Sequence, residues 1–153
     1  MDIGHFYFLK PDYSTQFEFS HFMNNHEDER NRPYFCAFKD KDLYWLIPIS
    51  SKLAKFERVY RNKIDKYGKC DTIDFCDVLG HRKAFLIQNM CPVTPEYITN
   101  EYCDADSHLV QIADKSRKRI ASKAKKVLAL HRKGYNLIFG DVFTIEKELL
   151  AHL

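Results

Sequence analysis

Two apolar runs, "YFCAF" (34–38) and "LYWLIPI" (43–49), are separated only by "KDKD". Runs this short, rich in aromatic and β-branched side chains, have the length of strands, and a link this short and charged turns the chain back on itself. The pattern predicts a β-hairpin from Pro33 to Pro48, and no other part of the chain limits the fold as much.

Around the hairpin, "MDIGHFYFLK" (1–10) reads as a short strand closed by Pro11, and "NNHEDERNRP" (24–33) as a polar loop. After it the period changes. Leu53, Phe56, Tyr60, Ile64 and Tyr67 recur every three or four residues, which predicts an amphipathic helix from Lys52 to Tyr67 stopped by Gly68. "DTIDFCDVLG" and "RKAFLIQNMCPVT" predict two more strands, the second almost wholly apolar and so central in the sheet. A second helix is expected to begin near Ser107 or soon after, with Leu109, Ile112, Ala113, Ile120, Ala124, Val127, Leu128 and His131 on one stripe and Gly134 beyond its end. "YNLIFGDVFTIEKELLAHL" then predicts a short strand and a closing helix. Helices interrupting a meander of strands give an α+β class: a strongly bent antiparallel sheet or small barrel with flanking helices. At 153 residues, one compact domain spanning 1–153 is expected.

The composition, 45% hydrophobic with five glycines and five prolines, excludes a disordered or low-complexity chain. No apolar run reaches the length of a membrane span and the N-terminus lacks a signal peptide's pattern, which places the protein in the cytoplasm with no membrane partner. The five cysteines are odd in number and form no C-x-x-C, so reduced, mostly buried thiols are expected, with Cys70, Cys76 and His81 a weak alternative zinc set. The net charge of +3 hides a segregation: residues 30–69 carry eleven Lys/Arg against four Asp/Glu, and residues 107–133 nine against one. Clustered cations of this kind displace counterions from a polyanion, so RNA or DNA is the leading partner.

The hairpin's second strand ends in "PISSK" (48–52), with no carboxylate or histidine beside it. If a helix starts near Ser51, its free N–H groups and the positive end of its dipole favour a phosphate above the turn. Ser50 and Ser51 add hydroxyls there, and Lys52 or Lys55 a point charge. An ordinary helix cap would also use a serine at this place. Cutting RNA without a metal requires the ribose 2′-OH to attack the adjacent phosphate while the protein accepts a proton, stabilises the phosphorane and protonates the leaving oxygen. A lysine supplies the second function directly. DNA, lacking the 2′-OH, is closed to this route.

Other chemistries lack their motifs: there is no G-x-S-x-G, Walker A loop or H-E-x-x-H. Asp104/Asp106 or Asp74/Asp77 are possible magnesium ligands, more often simply solvated. His5, His21, His26, His81, His108, His131 and His152 are scattered without useful spacing. No metal or other cofactor is expected. Arg58, Arg61 and Lys63 on the first basic helix, and Lys115, Arg117, Lys118, Lys125 and Lys126 on the second, are the expected RNA-binding residues. Tyr13, Tyr34, Tyr44, Tyr60 and Tyr97 are candidates for base stacking. Two rival readings remain: a non-catalytic RNA-binding module using the same basic face, and a protein-interaction domain using its aromatic surface.

Taken together, "NRPYFCAF", "YWLIPISSK", "CDTIDFCDVLGHRKAFLIQNMCPVTPEYI" and "AKKVLALHRKG" resemble the toxins of type III toxin–antitoxin systems, the ToxN/AbiQ superfamily and within it the CptN/TenpN branch. The resemblance runs over nearly the whole chain. It implies a bent-sheet, barrel-like core similar to that of the MazF/Kid toxins, and a metal-independent, sequence-selective endoribonuclease that leaves 2′,3′-cyclic phosphate and 5′-OH ends. It also implies inhibition by a small pseudoknotted RNA, cut by the toxin from a repeat precursor and closed with it into a ring-like assembly. Cellular or phage RNA would be the substrate, and growth inhibition in phage defence or plasmid maintenance the role. The family's Thr/Ser–Ser pair falls on Ser50 and Ser51, its catalytic lysine on Lys52 or Lys55, and the residue at the start of the preceding strand on Arg32 or Tyr34.

Overall fold

The computed structural model describes residues 1–17, 26–27 and 30–153. His21 lies outside the described residues. The strands, in chain order, are β1 Phe6–Leu9, β2 His26–Glu27, β3 Arg30–Asn31, β4 Pro33–Asp40, β5 Leu43–Ser50, β6 Asp74–Val78, β7 His81–Phe85, β8 Cys91–Val93 and β9 Ile98–Glu101. The helices are α1 Pro11–Phe17, α2 Leu53–Tyr67, α3 Asp114–Arg132 and α4 Val142–Ala151.

The predicted hairpin is present as β4 and β5, paired from Tyr34↔Pro48 to Asp40↔Leu43. Lys41 and Asp42 turn it with φ of 54° and 64°, the left-handed pair that suits the twist of a two-residue hairpin loop. α2 ends where expected: Gly68 takes φ 78° and its N–H donates to the Ile64 carbonyl at 2.8 Å. Pro11, read as the end of a strand, also opens α1, where its missing N–H leaves nothing unpaired. The expected polar loop at 24–33 contains the short β2–β3 ladder, His26↔Asn31 and Glu27↔Arg30.

Seven strands form one antiparallel sheet in the order β6-β7-β5-β4-β1-β9, with β8 on β5. The two end strands, β6 and β9, do not meet, so the sheet is open and bent, not a closed barrel. Register shifts between Phe8 and Leu9 and between Cys36 and Phe38 contribute to the bend. β5 changes partner along its length: Tyr44–Leu46 pair with β8, and Ile49 and Ser50 with Phe85 and Ala84 of β7. Between the two lies Pro48, which has no N–H to give; only its carbonyl is used, accepting from Leu86 N–H at 3.0 Å. The apolar run expected as one strand is correspondingly split into β7 and β8 by a single 3₁₀ turn at Ile87–Asn89.

Both faces of the sheet are covered. Phe35, Trp45, Ile47, Ile49, Phe85 and their neighbours pack under Ile120, Ala124, Val127 and Leu128 of α3. The alternate residues Tyr34, Cys36, Leu46 and Val93 pack under α1 and α4. Further along that face Phe75, Ala84 and Leu86 receive Leu53, Phe56, Tyr60 and Ile64 of α2.

Two elements differ from expectation. α3 starts at Asp114, later than Ser107, because the chain from Cys103 to Leu109 closes a loop held by an isolated bridge, with Ser107 at φ 64°. The Asp104 carboxylate fixes this loop by accepting from Asp106 N–H at 2.8 Å and His108 N–H at 3.0 Å. The strand expected before α4 is irregular chain. No helix among the described residues is long and apolar enough to cross a membrane.

Cys36, Cys70, Cys76 and Cys91 are buried and only Cys103 is exposed. Burial pushes the thiols of Cys36 and Cys91 up to about 12, far from the thiolate range at neutral pH. In native protein at pH 8 a thiol-disulfide reagent such as DTNB is therefore expected to titrate one group rapidly, and all five only after denaturation. Rapid native labelling of two or more thiols would contradict this packing.

Candidate active site

The chain leaves the sheet at Ser50 and enters α2 at Leu53, so "Ser51-Lys52" is the whole connection. The two serines do different things. Ser50, only 2% exposed, still belongs to β5, and its Oγ accepts from Lys52 N–H at 3.2 Å, folding the turn back on itself. Ser51 is exposed, and its Oγ accepts a hydrogen bond from Lys83 Nζ at 2.7 Å. The register explains the contact: Ser50 pairs with Ala84, so the next step along both strands brings Ser51 opposite Lys83.

Neither serine caps α2. Its N-cap is Lys52, with φ −79° and ψ 64° and no side-chain cap, so the helix begins within a residue of the expected Lys52. Leu53 N–H donates to the Ser51 carbonyl at 2.9 Å, while the N–H groups of Ala54 and Lys55 have no acceptor among the described residues. Two backbone donors, the Ser51 hydroxyl and the positive end of a fifteen-residue helix thus share one rim. Lys52 and Lys55 are exposed beside it, the Lys55 ammonium lying 5.3 Å from the Phe56 ring centre.

Arg32 and Tyr34 sit below this rim. Arg32 is 6% exposed and donates from Nη1 to the Ile49 carbonyl at 2.7 Å, bracing the last turn of β5. Tyr34 is 1% exposed, and burial raises its phenol well above the ordinary range. A phenol so buried is packed beneath the turn and does not reach a polyanion at the surface. Alternation along a sheet covered on both faces is the reason: Tyr34 shares the face of Cys36 and Leu46.

The basic residues divide into two groups. Lys63 turns inward, its ammonium donating to Thr72 Oγ1 at 2.7 Å and Gln88 Oε1 at 3.4 Å. Arg58 and Arg61 on α2, and Lys115, Lys118 and Lys125 on α3, are exposed with no ion pair among the described residues. Arg117 pairs with Asp114 at 3.2 Å, and Lys126 with Asp71 at 2.8 Å. Arg119 and Lys123 both reach Asp74, at 2.9 and 3.4 Å. The excess of charge counted along 107–133 is thus partly cancelled by acids from the β6 edge. α2 and α3 also cover opposite faces, so their open cations form two patches separated by the sheet.

Of the possible metal ligands, Asp74 is taken by α3 cations, and Cys70, Cys76 and His81 do not converge. Asp104, Asp106 and His108 do come together in their loop, as do Asp2, His5 and Glu101 beside β1. Tyr13 is buried, its hydroxyl donating to the Pro92 carbonyl at 2.5 Å, and Tyr60 and Tyr97 are half-buried against Phe75 and Tyr13. Tyr44 lies half-buried near Lys39.

The sequence reading passed over Lys83. Its only signal was a lysine bordering the apolar run "AFLI", which has meaning only once the β5–β7 register is known.

No family model matches the sequence, and no characterised protein matches it by sequence. Among solved structures the chain superposes on AbiQ, a lactococcal anti-phage endoribonuclease belonging to the type-III toxin-antitoxin system, with a TM-score of 0.72 and 16% identity over 97% of this chain and 96% of that one. The fold described above is therefore the fold of AbiQ, end to end.

Proposed function

We propose that this protein is a metal-independent endoribonuclease toxin of a type III toxin–antitoxin system, of the ToxN/AbiQ kind. The observation that carries the reading is the AbiQ fold over 97% of the chain, combined with an exposed Ser51 at the rim where unpaired N–H groups and lysines gather.

In this reading the scissile phosphate lies on the rim between Ser51 and the start of α2. The Ser51 hydroxyl and the N–H groups of Ala54 and Lys55 donate to its non-bridging oxygens, and the Lys52 or Lys55 ammonium adds charge as the phosphorane forms. The ribose 2′-oxygen attacks phosphorus as the bond to the 5′-oxygen breaks. The 2′ proton passes to solvent or a phosphate oxygen, and the leaving 5′-oxygen takes a proton back from that same water or phosphate oxygen. The products are a 2′,3′-cyclic phosphate and a 5′-OH. Ser50 and Arg32 hold the turn in shape and do not touch the substrate. The exposed cations Arg58, Arg61, Lys115, Lys118 and Lys125 bind RNA backbone, and the inhibitor is a pseudoknotted RNA cut from a repeat precursor and closed with the toxin into a ring-like assembly.

Purified protein, freed of bound nucleic acid and incubated with mixed single-stranded RNA in EDTA, is expected to give fragments ending in cyclic phosphate and 5′-OH. RNA that is bound but remains intact would instead favour the non-catalytic binding module.

A further inference from the structure

Lys52 and Lys55 are close to Ser51 in sequence, but Lys83 is the lysine in contact with it. We propose that Lys83 is the cation of the reaction centre: it fixes the Ser51 hydroxyl as a donor to the scissile phosphate and holds its own ammonium against the charge that develops there. The inference rests on the endoribonuclease reading and assigns to it a residue thirty-two positions along the chain from Ser51.

The argument begins with hydrogen-bond capacity. A serine hydroxyl has one proton to give, and an ammonium has three and accepts none. At 2.7 Å, Lys83 Nζ occupies an acceptor site of Ser51 Oγ. The Ser51 proton then points away from Lys83, toward the exposed side of the rim, and the adjacent positive charge makes that hydroxyl a stronger donor. Two of the ammonium's three protons remain for a phosphate oxygen. A lone surface serine would rotate freely and would have to be ordered at the moment of reaction; this one is already oriented.

Placement supports the same reading. Lys83 is half-buried on a β-strand, paired with Cys76 of β6 on one side and carried on the other next to Ala84, which pairs with Ser50. No acidic side chain pairs with it among the described residues, whereas its neighbour Arg82 lies 3.6 Å from Glu57, and Arg119 and Lys123 are matched by Asp74. A strand-held lysine whose only polar partner among the described residues is a hydroxyl has no carboxylate competing with a ligand. Lys52 and Lys55, on the exposed first turn of α2, have no comparable restraint.

The test compares wild type, Lys83→Met and Ser51→Ala on single-stranded RNA in EDTA, measuring cleavage under saturating enzyme and RNA affinity separately. Methionine keeps the apolar stem and so the packing. Lys83→Met is expected to lower the cleavage rate about a hundredfold while RNA affinity changes little. A second variant, Lys83→Cys in a Cys103→Ser background, is alkylated with 2-bromoethylamine to rebuild a lysine-like side chain bearing a less basic amine. Activity is expected to return, with the alkaline limb of the pH–rate profile moved to lower pH, a shift that a purely structural role would not produce. Wild-type rates in Lys83→Met beside an inactive Ser51→Ala would overturn the inference and leave the endoribonuclease reading standing. So would rescue with an unmoved alkaline limb. A wild-type protein that binds RNA without cutting it would remove both.

Discussion

Ser51→Ala protein is expected to bind single-stranded RNA with nearly wild-type affinity and to cut it about a thousandfold more slowly, the upper end of what one oriented donor to a developing oxyanion contributes. Affinity survives because it comes from many dispersed contacts between cations and phosphates, and losing one neutral hydroxyl removes none of them. Rate does not survive, because alanine deletes the donor at the phosphate and deprives Lys83 of its only polar partner among the described residues. Growth inhibition on expression should disappear with the activity. The fold should not suffer, since Ser51 is exposed and the turn is tied by Ser50 and the backbone. Single-turnover cleavage, filter binding and a thermal melt separate these effects. Ser51→Ala protein that still cut RNA at the wild-type rate would place the chemistry elsewhere.

The largest stability effect is expected at Arg132, where α3 ends. Its guanidinium grips both oxygens of Glu146 on α4 at 2.9 and 2.6 Å, reaches Asp40 in the β4–β5 hairpin at 3.1 Å, and lies over the Phe143 ring at 5.0 Å. Glu146 is only 6% exposed, with Lys41 as a further cation at 3.8 Å. Arg132→Ala leaves that carboxylate buried with one distant partner, and removing one member of a buried pair costs about 3 kcal/mol or more. Urea unfolding should show the loss as a lowered midpoint. The double variant Arg132→Met/Glu146→Leu should recover most of it, since neither charge then needs solvation. A loss below about 1 kcal/mol would class the pair with ordinary surface ion pairs.

What the sequence disclosed follows from how far apart the interacting residues are. The β4–β5 hairpin, α2 and its Gly68 stop depend on neighbours within a few residues, and all were legible. So was the Ser50–Ser51 turn as the link from strand to helix. The division of labour within it was not, because that Ser50 is buried and Ser51 exposed follows from which face of β5 is covered. The partial neutralisation of the basic stretch 107–133 was hidden for a related reason: Asp71 and Asp74, which pair with Lys126, Arg119 and Lys123, lie some forty-five to fifty-five positions upstream. Whether Tyr34 stacks on bases or packs inside was left open by the sequence, because a strand's alternation alone does not say that both faces are covered. Whether the bent sheet closes into a small barrel or stays open, as it does here, depends on whether β6 and β9 meet, a global property that no local pattern encodes.

The position of β1 carries a consequence for synthesis. The meander from β4 through β7 frames the Ser51 turn using residues near one another in the chain, whereas β1, made first, finds its second neighbour only when β9 at Ile98–Glu101 emerges. The helices that cover the two faces, α3 and α4, come last of all. A nascent chain on the ribosome therefore carries the outlined Ser51 turn on a sheet whose α3-facing side is still bare and whose other side has only α1 and α2, and non-local closure of this kind is slow. In the proposed reading it is the finished fold, and not the nascent chain, that cuts RNA, so activity would begin only after translation has delivered α3 and α4.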